Sequence, residues 1–464
     1  MRHPTTSTRP PTSATAPFKL SLADAARAIR NGYLTAEEVT RSCLERITLK
    51  DREILAWEWI DARAAVAHAK RADELVHLRG ALGRLHGIPI GVKDIIYTKG
   101  IPTAMGSPIF RDFIPSYSAA CVEKLESAGA FVMGKTVTTE FANQKPGKTR
   151  NPWNPRFTPG GSSSGSAAAV AAGFVFGALG SQTRGSTIRP AVYCGIVGYK
   201  PSFGVVSRFG MNPLSTTLDH VGILTRTVDD AALMASCMAG HDRRDSGSIR
   251  DEELPENLCD VAPLEKPPRL AAVRSPVWST AESSQRELFA ANQDVLRKAG
   301  AALEQVELPA IFEAAIDVTR AIHLSEIAHN YGPLMKQHSE QVSARFAEFY
   351  NQGLRYSAAE YLDALGKREE LRRTLQSLLA EYDAIITPPA TGEPPRTLDF
   401  TGDANFCTIW TLCGVPCVSF PTGLGPNGLP MGMQVVGGYL NDRAMLRVGK
   451  WCMDRLPLTA SLPD

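Results

Sequence analysis

Apolar residues recur with helical spacing near the start of the chain, at Leu22, Ala25, Ala26 and Ile29, which predicts a helix that Asn31-Gly32 stops. Thr35-Ala36-Glu37-Glu38 then reads as a capping box opening a second helix through residue 47. Residues 62–76 predict a third helix, charged on its outer face, and residues 82–91 turn into a β-branched run that ends in Lys93 and reads as a strand. Residues 117–130 are amphipathic at helical period, residues 131–135 predict a strand, and residues 143–159, rich in Pro, Asn and Lys, predict a loop. Residues 167–179 form an uninterrupted apolar run; Ala-rich, proline-free sequence with small side chains packs closely, so residues 166–172 predict the start of a buried helix. A further helix is expected over 222–240, then a charged, proline-bearing excursion over 241–268. Strand, helix and strand patterns at 269–274, 283–298 and 302–308 make a βαβ unit, which implies a mainly parallel sheet. Residues 309–379 read as helical, 384–387 as a strand before Pro388-Pro389, and from Phe406 the chain returns to the core.

Composition narrows the class. A chain of 464 residues that is 44% hydrophobic and 21% charged is globular and can bury a large core. The 50 basic and 48 acidic residues leave a net charge of +2 with no basic block, so nothing points to a nucleic-acid or membrane partner. Residues 1–17, MRHPTTSTRPPTSATAP, lack an apolar centre, which predicts a disordered tail rather than a signal peptide. The 13-residue run at 167–179 is shorter than the roughly 20 residues a membrane-spanning helix needs. Nine cysteines, odd in number and scattered, suit reduced thiols in a cytoplasm. The pattern allows a homo-oligomer without requiring one.

No metal-ligand spacing stands out. His68 and His77 are nine residues apart and share no helix face, and His323, His329 and His338, at spacings of six and nine, do not stack on one either. Cys407, Cys413 and Cys417, with gaps of six and four and no histidine nearby, read as buried structural thiols. No metal and no organic cofactor is expected.

The chemistry concentrates between Pro159 and Gly204. Ser162, Ser163, Ser164 and Ser166 precede the apolar run, and Ser181, Thr183, Ser186 and Thr187 follow it beside Arg184 and Arg189. Interleaved glycines let backbone N–H groups approach a ligand, as oxyanion holes and anion nests require. Gly161-Ser162-Ser163-Ser164-Gly165 fits the G-x-S-x-G elbow of α/β-hydrolases, but the preceding NPWNPRFTPG carries three prolines in ten residues and cannot be the central strand an elbow needs. A phosphate-cradling loop would need a lysine after its last glycine, and none is there. A flexible Gly/Ser linker would not lead into a buried helix.

The segment resembles the amidase signature. It carries Gly160-Gly161-Ser162-Ser163, Gly180-Ser181-Gln182-Thr183-Arg184-Gly185-Ser186, Ile188-Arg189-Pro190-Ala191, Tyr193-Cys194-Gly195 and Gly198-Tyr199-Lys200-Pro201 in order. Gly87-Ile88-Pro89-Ile90-Gly91-Val92-Lys93-Asp94 is similar to the family's lysine motif, Thr225-Arg226-Thr227-Val228-Asp229-Asp230 to its T-R-T-V-x-D, and Gly414-Val415-Pro416 through Gly428-Leu429-Pro430-Met431-Gly432-Met433-Gln434 to its C-terminal motif. The resemblance covers most of residues 20–455. It implies an α/β fold, a single large domain with a mainly parallel mixed central sheet covered by helices on both faces. The implied layout is N-terminal helices at 18–80, a catalytic core at 81–240, a substrate-shaping helical region at 241–400 and a return to the core at 401–455.

The resemblance also implies roles. Lys93 would be the base, Ser162, with an unusual cis peptide, the bridge, and Ser186 the nucleophile. The backbone N–H groups of Thr183, Arg184, Gly185 and Ser186 would hold the oxyanion. A lysine buried without a carboxylate loses pKa and becomes a competent neutral base, so the scheme is physically coherent. Asp94 reads as a salt-bridge or capping residue and Asp230 as a helix N-terminal charge. Gln182 and Arg184 depart from the commoner Asp and Gly, and a positive φ at Arg184 would be strained. Arg189, three residues after the nucleophile, resembles the malonamidase-like branch. Arg184, Arg189 and Gln182 are the substrate-binding candidates, although an arginine there either pairs with a substrate carboxylate or fixes the site's own loops. The expected activity is hydrolysis of a small or medium amide or carbamate. The alternatives are the glutamine-hydrolysing component of a tRNA-dependent amidotransferase and a catalytically silent scaffold.

Overall fold

A computed structural model describes residues 16–79, 83–458 and 460. Residues 1–15 of the predicted tail over 1–17 and the side chain of His77 lie outside what is described; Pro17, the tail's last residue, already opens a turn of 3-10 helix, Pro17–Lys19.

The capping chemistry read from the N-terminal pattern is present. Ser21 Oγ accepts from the N–H of Asp24 at the head of helix Leu22–Arg30, and Thr35 and Glu38 form the reciprocal box at the head of helix Ala36–Ile54. Between the first two helices Gly32 takes φ +72°, the left-handed conformation that ends a helix. The third helix is Ala62–Arg79 and the fourth Ala120–Ser127, shorter than the amphipathic stretch that predicted it.

Among the described residues one sheet of eleven strands runs through the molecule: β1 Trp57–Ile60, β2 Pro89–Lys93, β3 Phe131–Thr136, β4 Gly177–Gln182, β5 Val197–Lys200, β6 His220–Thr225, β7 Arg269–Arg274, β8 Ala302–Glu307, β9 Ala384–Thr387, β10 Cys417–Leu424 and β11 Pro430–Val436. Their spatial order is β1-β3-β2-β4-β6-β5-β10-β11-β9-β7-β8. The mixed sheet of a single α/β domain is thus present, but its parallel share is smaller than expected. Parallel pairing is confined to β3-β2-β4 and β9-β7-β8, and the six other pairings are antiparallel. The βαβ unit seen in the sequence is real (β7, helix Ser283–Lys298, β8) and lies at one end of the sheet. The other parallel strands are joined the same way, β2 to β3 through helix Ala120–Ser127 and β3 to β4 through helix Ser164–Ala171, while the pairings from β4 across to β9 are antiparallel, a direction their pattern did not give.

Helices flank the sheet, and alternation along the strands shows two buried faces. Leu270 and Ala272 of β7 belong to the larger core, while Ala271 and Val273 face a second core with Leu371 and Leu375 of helix Ala358–Leu379 and Trp410 of helix Asn405–Leu412.

Two expected helices are split. The run over 167–179 is not one element: helix Ser164–Ala171 ends at Gly173, φ +75°, and the chain re-enters the sheet as β4. A side chain at 173 would strike the Phe18 ring, 2.6 Å from its Cβ position. Gly165, near the start of the same helix, lets the backbone of Ala56 and Val137 approach within 2.3 Å of where a Cβ would sit. Likewise 222–240 contains the end of β6 and then helix Val228–Met238, which Thr227 caps by accepting from the N–H of Asp230. In both places a buried strand and a buried helix are equally apolar, so hydrophobicity carries no boundary.

Candidate active site

Strands β2 and β4 are parallel neighbours, so their C-terminal ends open on the same edge of the sheet, where α/β folds commonly bind ligands. Lys93 is the last residue of β2, Ser181 and Gln182 end β4, and residues 183–187 turn into helix Ile188–Tyr193. The loop before helix Ser164–Ala171 brings Ser162 to the same place. Two links hold it there: the Ser163 N–H donates to the Ser186 carbonyl (3.3 Å), and Ser163 Oγ exchanges bonds with the backbone of Ser181 (3.2 Å each). The Gly161–Ser162 peptide is cis.

Lys93 has no exposed surface, and its Nζ lies 2.6 Å from Ser162 Oγ and 2.8 Å from Ser181 Oγ. Among the described residues no carboxylate oxygen lies within ion-pair distance of it. Burial therefore pulls its pKa well below the usual value, and the charge of Asp219 opposes this only in part. Asp94, next in sequence, turns elsewhere, to Lys135 (3.4 Å) and the N–H of Ala104 (2.9 Å), as a structural residue.

Ser186 is half-buried and opens on a cavity of about 120 Å³, whose wall also includes Thr183, Arg184, Arg189, His323 and the 400–404 loop. Among the described residues no protein acceptor takes the backbone N–H of Thr183, Arg184, Gly185 or Ser186, so four adjacent donors stand free at the turn. The backbone of Arg184 does not take a positive φ, so the strain that a bulky residue would suffer there does not arise. Its side chain reaches Asn405 Oδ1 (2.5 Å) and Thr408 Oγ1 (3.5 Å), and its carbonyl accepts from Thr411 Oγ1 (2.7 Å). Arg189 is buried; one Nη donates to the Gly161 carbonyl (2.7 Å) and Thr401 Oγ1 (3.2 Å), while its Nε has no partner among the described residues. Burial lowers the pKa of both guanidinium groups, and neither forms an ion pair with a carboxylate among the described residues.

Gln182 does not suit the substrate-binding role it was considered for. It is fully buried, its Oε1 accepts from the N–H groups of Thr187 and Ile188 (2.9 and 3.0 Å), and its Nε2 donates to Thr411 (3.0 Å). It caps the first turn of helix Ile188–Tyr193, where an acceptor for free N–H groups is needed.

The sequence reading gave neither Asp219 nor His323 a place at this site. Asp219, buried just before β6, accepts from Thr183 Oγ1 (2.5 Å) and from the N–H groups of Leu214 and Ser215 (2.8 and 2.9 Å), and burial raises its pKa to about 6. It supplies, from another loop, a carboxylate at a turn whose own carboxylate position holds Gln182. His323 had been considered only as a metal ligand; it is buried in the cavity wall. No group of three or more His, Cys, Asp or Glu that could hold a metal exists among the described residues. No described helix is long and apolar enough to cross a membrane.

The buried Lys93 beside two serine loops thus lies on the C-terminal edge of the mixed sheet. The model of the Amidase family matches residues 38–446, and the chain belongs to that family. It is 34% identical over 463 residues to the putative amidase AmiD of Mycobacterium tuberculosis, covering 93% of each chain. It is 35% identical over 480 residues to a glutamyl-tRNA(Gln) amidotransferase subunit of Chloroflexus aggregans, covering 93% of this chain and 95% of that one. Among solved structures, the peptide amidase of Stenotrophomonas maltophilia superposes with a TM-score of 0.83 at 28% identity, over 96% of this chain and 98% of that one.

Proposed function

We propose that the protein is an amidase that hydrolyses the C–N bond of small or medium amides or carbamates through an acyl-enzyme on Ser186. The observation that carries this reading is the surrounding of Lys93: buried, free of any carboxylate partner among the described residues, and 2.6 Å from Ser162 Oγ. A neutral amine there takes the Ser162 proton while Ser162 takes that of Ser186, whose oxygen attacks the carbonyl carbon. The oxyanion forms beside the free N–H groups of residues 183–186. As the C–N bond breaks, the proton returns along the relay to the leaving nitrogen, and water then releases the acid and restores Ser186. Arg184 and Arg189 sit in the wall as two cations against one lining carboxylate among the described residues, Asp403, whose charge acts on both without forming an ion pair, which favours a substrate that carries negative charge near the scissile bond.

A fluorophosphonate should leave a mass adduct on the peptide containing Ser186. An adduct on Ser163 would restore the elbow reading, and none at all would favour a silent scaffold. A hydrolysis panel of primary amides, anilides and carbamates assigns the substrate class. The second reading, the glutamine-hydrolysing component of an amidotransferase, draws on the identity to the Chloroflexus protein; co-purification with a tRNA-binding partner would support it over the free-standing amidase.

A further inference from the structure

His323 is 5% exposed and forms part of the cavity wall with Ser186 and Arg184. It stands on helix Ala315–His338, its ring edge-on to Phe349 at 6.5 Å. Neither ring nitrogen has a hydrogen-bond partner among the described residues, and Nε2 is wholly enclosed. The other buried histidines each have one ring nitrogen tied to backbone, His86 Nε2 at 2.9 Å from the Ala72 carbonyl and His220 Nδ1 at 2.7 Å from that of Leu218, although His220 Nε2 is likewise enclosed without a partner among the described residues. Buried polar groups are nearly always satisfied; Nε2 is sealed off from the cavity, and Nδ1, which has no partner among the described residues and keeps accessible surface, is the nitrogen a ligand can meet. Burial, and after it the charge of Arg184, lowers the pKa of His323 to about 3, so the ring stays neutral and offers Nδ1 as donor or acceptor according to its tautomer.

We propose that His323 is a specificity-determining residue that hydrogen-bonds the part of the substrate beyond the carbonyl attacked by Ser186, selecting acyl groups that carry a carboxamide- or urea-like function over hydrocarbon ones. This rests on the assignment of Ser186 as nucleophile. A site built around an open polar group rejects an analogue that leaves the group unpaired far more strongly than an apolar pocket rejects a polar isostere.

The test is protection of Ser186 from fluorophosphonate labelling by malonamide against its hydrocarbon isostere 3-methylbutanamide. Wild-type protein should be protected by malonamide at concentrations at least about tenfold lower. His323→Phe, which keeps a ring against Phe349, should bring the two within about threefold, and His323→Gln, which keeps a donor and an acceptor, should retain most of the preference. Should His323→Phe fail to fold, His323→Met serves as the apolar variant. Equal protection in wild type, no protection by malonamide, a preference that survives in the apolar variant, or equal loss in the apolar and Gln variants would each overturn the proposal. Ser186 that labels normally without selectivity sinks the role of His323 alone, whereas Ser186 that never labels removes the nucleophile and this proposal together.

Discussion

Lys93 and Lys135 sit on neighbouring strands, Lys135 beside Val92 in the register of β2 and β3, and neither has exposed surface. Desolvation lowers the pKa of both. What differs is the partner. Lys135 Nζ meets Asp94 at 3.4 Å and donates to the Ile96 carbonyl and Thr103 Oγ1 at 2.7 Å each, a shell suited to an ammonium ion. Lys93 meets two hydroxyls, which stabilise an ammonium far less and can themselves give up protons. Burial alone therefore does not mark a base; of the two, only Lys93 has the hydroxyl neighbours and lack of a carboxylate that the proposed base requires.

Breaking each member of the pair should give opposite results. Ser186→Ala and Lys93→Met should each lower kcat/KM by on the order of 10⁴ or more with the fold intact, since members of one catalytic unit fail together. In wild type kcat/KM should rise with pH through an apparent pKa well below the unperturbed lysine value of about 10.4. Because the folded pKa of Lys93 is depressed, the unfolded chain binds the extra proton, and this residue's cost to stability shrinks as pH rises toward that unfolded value. Lys93→Met should accordingly be more stable than wild type near pH 7, with the gain fading in alkaline urea titrations. An active Lys93→Met would end the comparison. Ser162→Ala should lose less than Ser186→Ala while remaining severely impaired, because the attacking oxygen survives the loss of the relay.

Lys135→Met should act on the fold. It strands Asp94 as a buried carboxylate and should cost about 3–5 kcal/mol in urea unfolding, while folded protein still labels at Ser186. Loss of labelling in a folded Lys135→Met would bring that lysine into the mechanism.

Asp219→Asn sharpens the picture further. Its charge raises the pKa of Lys93, so neutralising it should move the acid limb of the kcat/KM profile to lower pH. Loosening Thr183 should lower kcat by roughly tenfold, about 1.4 kcal/mol. An unshifted limb with the same loss would make Asp219 a scaffold residue only. Arg184→Gly should have the smallest effect on turnover and chiefly alter which substrates fit. Loss on every substrate would put the guanidinium in the mechanism.

Caps and periodic elements were legible because their causes are local: Thr35 and Glu38 sit three residues apart, and the apolar face of Leu22–Arg30 repeats within one helix. The motif positions Lys93, Ser162 and Ser186 were legible only through family resemblance, because a lysine after a β-branched run is ordinarily a solvated charge. The split of 167–179 was hidden because β4 is buried throughout and has no polar face to betray its period. Asp219 reaches Thr183 across 36 residues of chain, so no spacing rule links them. His323 sits on a helix whose several histidines look alike in sequence, and only the cavity distinguishes it from exposed His329.

The turn carrying Ser186 is held from far downstream. Gln182 and the Arg184 carbonyl bind Thr411, and the Arg184 side chain binds Asn405, across 221 to 229 residues of chain. At a synthesis rate of about 5–20 residues per second, Ser186 leaves the ribosome roughly 10–45 s before the segment that holds its turn. On the proposed reading, the nascent chain would carry its nucleophile before its binding site, and hydrolytic competence would come with the docking of the C-terminal segment rather than with the appearance of the serines.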